Sequence, residues 1–94
     1  MEKYIIITSD EAKKHLALHY KFGNKVVIKR IERIFEELEE HPEIGIGQPE
    51  RLKHNLSDKW SRRIDEKNRI IYQIERETVT VTVISAKGHY SDKS

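Results

Sequence analysis

The spacing of apolar residues changes once along the chain, at a loop rich in glycine and proline. In residues 25–41 the apolar side chains recur three and four positions apart, which is the period of an α-helix. In residues 78–84 (TVTVTVI) apolar and polar residues alternate, which is the period of a β-strand. The loop at residues 42–49 (PEIGIGQP) has two Gly and two Pro in eight positions. The sequence therefore predicts a helical part that is followed by a sheet-forming part.

The helical part is predicted to be a helical hairpin that follows one short strand. Residues 3–8 (KYIIIT) are β-branched and aromatic, as in a strand, and their unbroken apolar run suits burial on both faces. Ser9 stands where the N-cap of a helix over residues 10–21 belongs, and Asn24 caps a second helix over residues 25–41. Each helix carries one apolar stripe, so the pair can cover one face of a sheet.

The sheet-forming part is predicted to be an antiparallel meander. Residues 60–64 and 69–74 flank a short polar turn, and residues 78–84 form a last strand with its three valines toward the core. The whole chain, residues 1–94, is then a single α+β domain of order β-α-α-β-β-β. We expect its helical hairpin to pack on one face of an antiparallel sheet.

The turn between the second and third strands decides which arginines share a face. A three-residue loop at residues 66–68 would end on an asparagine, which tolerates the left-handed backbone conformation that such loops need. It would set Ile64 opposite Ile70 and place Arg63 and Arg69 together on the face away from the helices. A two- or four-residue loop would mix apolar and charged residues on both faces, so an odd loop length is predicted.

A basic patch with one carboxylate is the main candidate for a functional site. Arg63 and Arg69 form the patch, and Arg51 and Lys53 extend it from the segment before the strand. Such a patch suits phosphate, because Arg offers two parallel donors and Lys a point charge. It is therefore either a solvated sheet face or a nucleic-acid contact. Glu50 is either one half of a rim salt bridge or a general base that these cations keep ionised.

The histidines do not predict a metal site. His15 and His19 are four positions apart, a spacing that can chelate zinc, but no Glu follows the first His and no third ligand is signalled. His89 is different, because it follows Gly88 after the last strand and has no obvious packing role. We expect neither a metal nor a cofactor.

Composition restricts the compartment and the partners. The absence of Cys excludes disulfides and thiolate metal sites and suits a reducing cytoplasm. The apolar run at residues 4–7 is too short for a signal peptide or a membrane span. The formal net charge of +2 argues against tight nonspecific binding of DNA. A cytoplasmic protein with one localised nucleic-acid contact is the consistent expectation.

A carboxylate, a histidine and several cations are the groups that metal-free RNA cleavage needs. RNA carries its own nucleophile, the 2′-hydroxyl, so the protein must supply a base for that proton and an acid for the departing 5′-oxygen. It must also place positive charge on the five-coordinate phosphate. Near pH 7 a free Glu is ionised and a free His is partly protonated, so both residue types suit these tasks.

Four segments of the chain carry a family resemblance. They are G-x-G-Q-P-E-x-L-K-H-N-L-S at residues 45–57, W-S-R-R-I at 60–64, N-R-I-I-Y at 68–72 and H-Y at 89–90. In order and spacing these strings resemble the YoeB (Txe) branch of the RelE-like toxins, the toxin halves of bacterial type II toxin–antitoxin pairs. The predicted β-α-α-β-β-β order is similar to the small fold of that family.

The resemblance implies a ribosome-dependent messenger RNA endonuclease. Such a protein acts in the ribosomal A site without a metal and is silenced by a cognate antitoxin. The resemblance also implies a homodimer or a hetero-oligomer with the antitoxin, and contact with operator DNA only through the antitoxin. It implies no contact with a membrane.

The resemblance also implies a role for six residues. Glu50 is similar to the family's general base, His89 to its general acid, and Arg69 to the group that stabilises the pentacoordinate phosphate. The positions that contact or orient the scissile phosphate and the flanking base are matched by Lys53, Arg63 and Tyr90.

Three features depart from the family pattern. Gln48 stands where the family usually has Lys before the Pro-Glu pair, which removes one positive charge near the base. His15, Leu16 and His19 largely replace the aromatic residues of the first helix. Residues 91–94 (SDKS) extend past the usual end, and we expect a mobile tail there.

Two other functions fit the same residues. One is a non-catalytic module that binds RNA or the ribosome through the basic face. The other is an inactive homologue that acts as an antitoxin-bound transcriptional co-repressor. Both differ from the nuclease in giving Glu50 and His89 no role in bond cleavage.

Overall fold

The computed structural model describes residues 3–53 and 58–88, which form one sheet and two helices. The elements are β1 (Ile5–Thr8), α1 (Asp10–Phe22), α2 (Lys25–Glu40), β2 (Glu50–Arg51), β3 (Lys59–Arg63), β4 (Arg69–Glu75) and β5 (Thr80–Ser85). The predicted α+β class and its element order are confirmed, with one addition, the two-residue strand β2. His89, Tyr90 and the tail predicted at residues 91–94 lie outside the described residues.

The sheet is mixed, with the strand order β1-β5-β4-β3-β2. The strands from β2 to β5 pair antiparallel, as the meander predicts, whereas β1 pairs parallel with β5. A parallel pair needs a long connection, and here both helices and the rest of the meander lie between its two strands. The prediction of an antiparallel sheet therefore holds for every pair except the one that β1 makes.

Strand β1 is buried on one face only, in contrast to the expected burial on both. Tyr4 and Ile6 pack against the core, but Ile5 is 63% exposed and Ile7 is 51% exposed. The helices cover only one face of the sheet, and β1 lies at its edge. The outward side chains of β1 therefore have no layer above them in the described chain.

The core lies between the helices and one face of the sheet. Ser9 Oγ accepts a hydrogen bond from the Ala12 N–H at 3.0 Å, and Asn24 Oδ1 accepts one from the Val27 N–H at 2.9 Å, so both predicted N-caps are confirmed. The core side chains come from both helices and from the strands, and include Ala12, Ile31, Ile34, Leu38, Ile70, Tyr72, Val81 and Val83.

Val79 departs from the predicted alternation. Val81 and Val83 are fully buried, as predicted, but Val79 precedes β5 and has φ = 51°. Its N–H donates to the carbonyl oxygen of Arg76 at 3.2 Å. Val79 therefore closes the tight turn at residues 76–79, where one left-handed residue is needed, instead of facing the core.

The β3–β4 hairpin differs from its predicted register by two residues. Arg63 pairs directly with Arg69, so that residues 64–68 form the loop where residues 66–68 were predicted. The longer loop is closed by Asp65, whose carboxylate accepts hydrogen bonds from two backbone N–H groups of the loop. A shift of two positions keeps every side chain on its predicted face. Arg63 and Arg69 therefore share the face away from the helices, as predicted.

Candidate active site

The face of the sheet away from the helices carries the predicted site residues. Glu50 of β2 lies opposite Ser61 of β3, and Arg63 of β3 lies opposite Arg69 of β4. Directly opposite residues point to the same face of a sheet, as do residues two apart on one strand. Glu50, Ser61, Arg63 and Arg69 therefore share this face, with the loop ahead of β2 at one end.

Arg69 is the central cation of this face. Its Nη1 donates to Ser61 Oγ at 3.2 Å and lies 3.8 Å from Glu50 Oε2. The Arg69 side chain is 19% exposed, whereas that of Glu50 is 61% exposed. An ion pair that is open to water on one side contributes little to stability. The carboxylate is therefore accessible to a ligand, and the guanidinium is held beneath it by Ser61.

Arg51 does not extend the patch in the way the sequence predicts. Arg51 lies opposite Trp60, one position from Glu50, and so points to the other face of the sheet. Lys53 is exposed and lies two residues beyond β2. The structure thus brings together Glu50, Arg63 and Arg69.

Buried Arg62 holds the loop that leads to Glu50. Its side chain is fully buried on the core face of β3. The guanidinium donates to the carbonyl oxygens of His41 at 2.9 Å, Ile44 at 2.7 Å and Ile46 at 3.3 Å. A fourth hydrogen bond, at 2.6 Å, goes to Glu37 Oε1. One side chain therefore satisfies three carbonyl groups of the irregular segment between α2 and β2.

Glu37 supplies the buried counter-charge of this network. Its carboxylate accepts from the Ile46 N–H at 2.9 Å, from Arg62 and from Arg33 Nε at 3.2 Å. Burial by itself would raise the pKa of Glu37, but the hydrogen bonds from Ile46 and Arg62 and the Arg62 charge lower it below its usual value. Gly45 has φ = 128°, and a Cβ there would overlap Glu37 Oε1. The loop is thus packed directly on this ion pair.

The last part of the loop is attached to β3 itself. The Arg63 N–H donates to the carbonyl oxygen of Gly47 at 2.6 Å. Gly47 has φ = 82°, and a Cβ there would come within 2.9 Å of the Arg63 carbonyl oxygen. Gln48, with φ = 53°, then turns the chain into β2. The position of Glu50 therefore depends on the loop before it, which is held by the Arg62 side chain and by the backbone of Arg63.

The segment after β5 is joined to the start of β4, beside Arg69. Asn68 Oδ1 accepts from the Gly88 N–H at 2.8 Å, and the Arg69 N–H donates to the Gly88 carbonyl oxygen at 3.2 Å. Asn68 is itself held by Asp65. Burial would raise the pKa of Asp65, but hydrogen bonds from the Lys67 and Asn68 N–H groups lower it. Gly88, the last described residue, is therefore held beside the Arg69 backbone.

Some residues that build the site were not predicted from the sequence. Ser61 is two positions before Arg63, so strand alternation already places it on the same face. Arg62 falls on the core face by the same rule, and Glu37 interrupts the apolar stripe between Ile34 and Leu38. Two opposite charges at core positions were therefore the available signal for a buried ion pair.

Within residues 3–53 and 58–88, no group of three or more His, Asp or Glu residues is arranged to hold a metal ion. No helix in this part of the chain is both long and apolar enough to cross a membrane.

The fold and this face define a small α+β protein that presents a carboxylate among arginines on an open sheet. Residues 10–90 match the family model of the YoeB-like toxin of bacterial type II toxin–antitoxin systems. The chain therefore belongs to this family and is the toxin of a toxin–antitoxin module. The resemblance predicted from the sequence is thus confirmed.

Known relatives agree over most of the chain. The toxin YoeB of Synechocystis sp. is 37% identical over 84 residues, which are 89% of this chain and 95% of the relative. The YoeB/ParE toxin from Agrobacterium tumefaciens is similar in structure, with a TM-score of 0.82 and 22% identity, and covers 92% of this chain and 99% of that one. A chain of the YoeB–YefM complex from Staphylococcus aureus is 30% identical with a TM-score of 0.77, covering 93% and 98%. The expected RelE-like fold is confirmed by these likenesses.

Proposed function

We propose that this toxin is an endoribonuclease that cleaves messenger RNA in the ribosomal A site without a metal ion. The observation that carries the proposal is the position of Glu50, whose carboxylate is open to solvent and 3.8 Å from Arg69 on a sheet face that Arg63 shares. A base beside two cations suits attack on a phosphate by a neighbouring hydroxyl.

In the proposed reaction, Glu50 takes the proton of the ribose 2′-hydroxyl. The 2′-oxygen forms a bond to phosphorus, and the bond from phosphorus to the 5′-oxygen breaks. His89 gives its proton to the departing 5′-oxygen. Arg69 stabilises the negative charge of the five-coordinate phosphate in the transition state. The products are a 2′,3′-cyclic phosphate and a 5′-hydroxyl. The proton taken and the proton given balance over one turnover.

The remaining predicted residues would bind the substrate rather than react with it. Arg63 lies directly opposite Arg69 and is exposed, so it can contact a phosphate beside the reacting one. Lys53 adds a point charge from the segment after β2. Tyr90 would stack on a flanking base, an interaction worth about 1–3 kcal/mol on single strands.

The proposed partners are a cognate antitoxin protein, the ribosome and its message. A relative from Staphylococcus aureus was solved as a YoeB–YefM complex, which supports a hetero-oligomer with an antitoxin here. Operator DNA would be reached only through that antitoxin. Because the substrate is a translated message, we place the activity in the cytoplasm.

Substitution of the two acid–base residues tests this proposal. Glu50→Gln and His89→Gln should each lower the rate of message cleavage on programmed ribosomes by about 10²–10⁴. Glu77→Gln, an exposed glutamate in the turn before β5, is the matched control and should cleave like the parent. Primer extension gives the rates, and sedimentation with ribosomes shows that binding is retained.

Two results would contradict the proposal. Parental rates in both Glu50→Gln and His89→Gln would remove the acid–base assignment. If the parent yields no cut message at any time, and only the Arg63 or Arg69 variants lose the protein's function, the protein is a binding module. Replacement of Mg²⁺ by polyamines that keep ribosomes assembled should leave cleavage intact if no metal takes part.

A further inference from the structure

Two histidines of α1 bind the same residue at the end of β5. The Ala86 N–H donates to His15 Nδ1 at 3.1 Å, and His19 Nε2 lies 2.6 Å from the Ala86 carbonyl oxygen. Ala86 is fully buried and is the first residue after β5. The two imidazoles are spaced i, i+4, which could have suited a metal. Here they bind the backbone N–H and the carbonyl oxygen of a single residue, Ala86.

The partners determine how each imidazole is protonated. The Ala86 N–H can only donate, so His15 Nδ1 must be an unprotonated acceptor. The Ala86 carbonyl can only accept, so His19 Nε2 must carry a hydrogen. His15 Nε2 faces the Glu11 carboxylate at 3.7 Å. The two rings therefore have opposite roles, and neither can replace the other.

Helix α1 continues the pairing of β5 where β1 ends. The Ser9 N–H donates to the Val83 carbonyl oxygen at 2.9 Å, and Ser9 Oγ donates to the Ile84 carbonyl oxygen at 2.8 Å. Two residues further along, the two histidines bind the backbone groups of Ala86. The last pair between β1 and β5 is Thr8 with Val83. The contacts with Ser9 and with the two histidines therefore hold the chain against α1 for three more residues, as far as Ala86.

The other side of the same segment is held by the start of β4. Gly88 is bound by Asn68 and by the Arg69 backbone, as described above. Residues 86–88 are therefore fixed at both ends, by α1 at Ala86 and by β4 at Gly88. The next residue along the chain is His89.

We propose that His15 and His19 are positioning residues that clamp Ala86 and so fix, beside Arg69, the segment of residues 86–88 that leads to His89. The clamp rests on the proposed function only in that His89 is the acid. The Ala86 contacts themselves are independent of any activity, which allows the two ideas to be tested separately.

Matched substitutions separate the hydrogen bonds from the volume of the rings. His15→Asn keeps an acceptor near the position of Nδ1, and His19→Gln keeps a donor near the position of Nε2. His15→Phe and His19→Phe keep the ring and remove the polar atom. His15→Ala and His19→Ala give the same comparison if a Phe variant does not fold.

The first measurement is made by NMR on the full-length toxin. In His15→Phe the Ala86 amide should exchange with solvent roughly five- to tenfold faster, the effect of one ordinary hydrogen bond, and His15→Asn should restore most of the protection. In His19→Phe the Ala86 carbonyl ¹³C shift should move as expected for loss of a donor, and His19→Gln should return it.

The second measurement is cleavage on programmed ribosomes. The Phe variants should lower kcat with little change in KM, because they leave Arg63 and the Glu50–Arg69 pair of the site face unchanged, and the Asn and Gln variants should recover most of kcat. Parental kcat in Phe variants whose Ala86 signals have changed would overturn the positioning role. Unchanged Ala86 exchange and shift in both Phe variants would overturn the clamp, whatever the cleavage rates are.

Failure of the proposed function gives a different pattern. If His89→Gln cleaves like the parent, the acid assignment is wrong and the clamp cannot position an acid. The Ala86 exchange and shift then still decide whether the clamp exists, since neither depends on turnover.

Discussion

Adjacent arginines in the segment W-S-R-R-I have opposite environments. Arg63 is exposed on the site face, and Arg62 is fully buried on the core face. Strand alternation predicts that the two side chains point apart. It does not predict that Arg62 finds Glu37 and three loop carbonyls, because these partners are 16 to 25 positions away in sequence. The face of a residue was therefore predictable, and its partners were not.

Removal of the Arg62 charge should destabilise the protein strongly. Arg62→Met leaves the buried Glu37 carboxylate without its buried cationic partner, with only the exposed Arg33 still paired to it, and leaves three carbonyl groups without their donor. Loss of one partner of a buried ion pair typically costs about 3–5 kcal/mol. Arg63→Met is the matched control, since exposed substitutions usually change stability by less than about 0.5 kcal/mol. Urea unfolding of both variants gives the comparison, and equal losses would mean that the network contributes nothing specific.

The lowered pKa of Glu37 makes stability depend on pH on the acid side. A group whose pKa is lower in the folded state stabilises the fold above its unfolded pKa, here 4.5, and this stabilisation is lost as pH falls through the folded pKa. The free energy of unfolding should therefore fall below about pH 4.5 more steeply in the parent than in Glu37→Gln. Urea titrations between pH 3 and pH 6 measure the slopes, with Glu36→Gln on the exposed side of α2 as the control for one lost charge.

At the level of elements, the β3–β4 hairpin shows how an inexact prediction still located the site. The loop is two residues longer than predicted, because Asp65 closes it by accepting N–H groups from Lys67 and Asn68. A side chain that folds back on its own loop changes the register without leaving a periodic signal. Since the change is an even number of positions, Arg63 and Arg69 remained on the predicted face.

Strand β2 shows the opposite case, an element that could not be predicted. Strand β2 makes only two residue pairs with β3, Glu50 with Ser61 and Arg51 with Trp60, which are too few for an alternating pattern to be seen. The pairing depends on the loop before it being docked on Arg62 and Glu37. The sequence indicated that a carboxylate, Glu50, has cationic neighbours. Its position on the sheet depends on the contacts that hold the loop, and these were not predicted.

Loss of the Asn68 side chain should loosen the segment after β5. In Asn68→Ala the Gly88 N–H loses its acceptor and Asp65 loses a donor. We expect a loss of about 1–2 kcal/mol in stability and faster exchange of the Gly88 amide. Lys67→Ala removes an exposed side chain from the same loop and should change neither quantity. Equal exchange of Gly88 in parent and Asn68→Ala would show that this contact does not hold the segment.

At the level of the whole molecule, the location of the positive charges matters more than the net charge. The chain has 18 Lys and Arg against 16 Asp and Glu, so its net charge says little about binding. The site face nevertheless places two arginines directly opposite each other. Binding of RNA should therefore depend on where a positive charge is removed and not only on how many are removed.

Two substitutions of equal charge test this dependence. Arg63→Gln should weaken binding to single-stranded RNA and reduce the slope of log affinity against log salt by about 1. Lys29→Gln, on the exposed side of α2, removes the same charge from the opposite side of the sheet and should have a smaller effect. Fluorescence anisotropy at several salt concentrations measures both slopes. Identical slopes in the two variants would argue against a localised contact.

The parallel pairing of β1 with β5 also has a consequence for the order of folding. β1 is the first described strand to be synthesised and its partner β5 is the last, with Ile5 opposite Thr80. At about 5–20 residues per second, the ribosome needs roughly 4–15 s to make the chain between them. During that time β1 has no strand to pair with, and Ile6 cannot pack against the complete core. The toxin therefore cannot close its sheet, or bring α1 to the end of β5, until well after its helices can form.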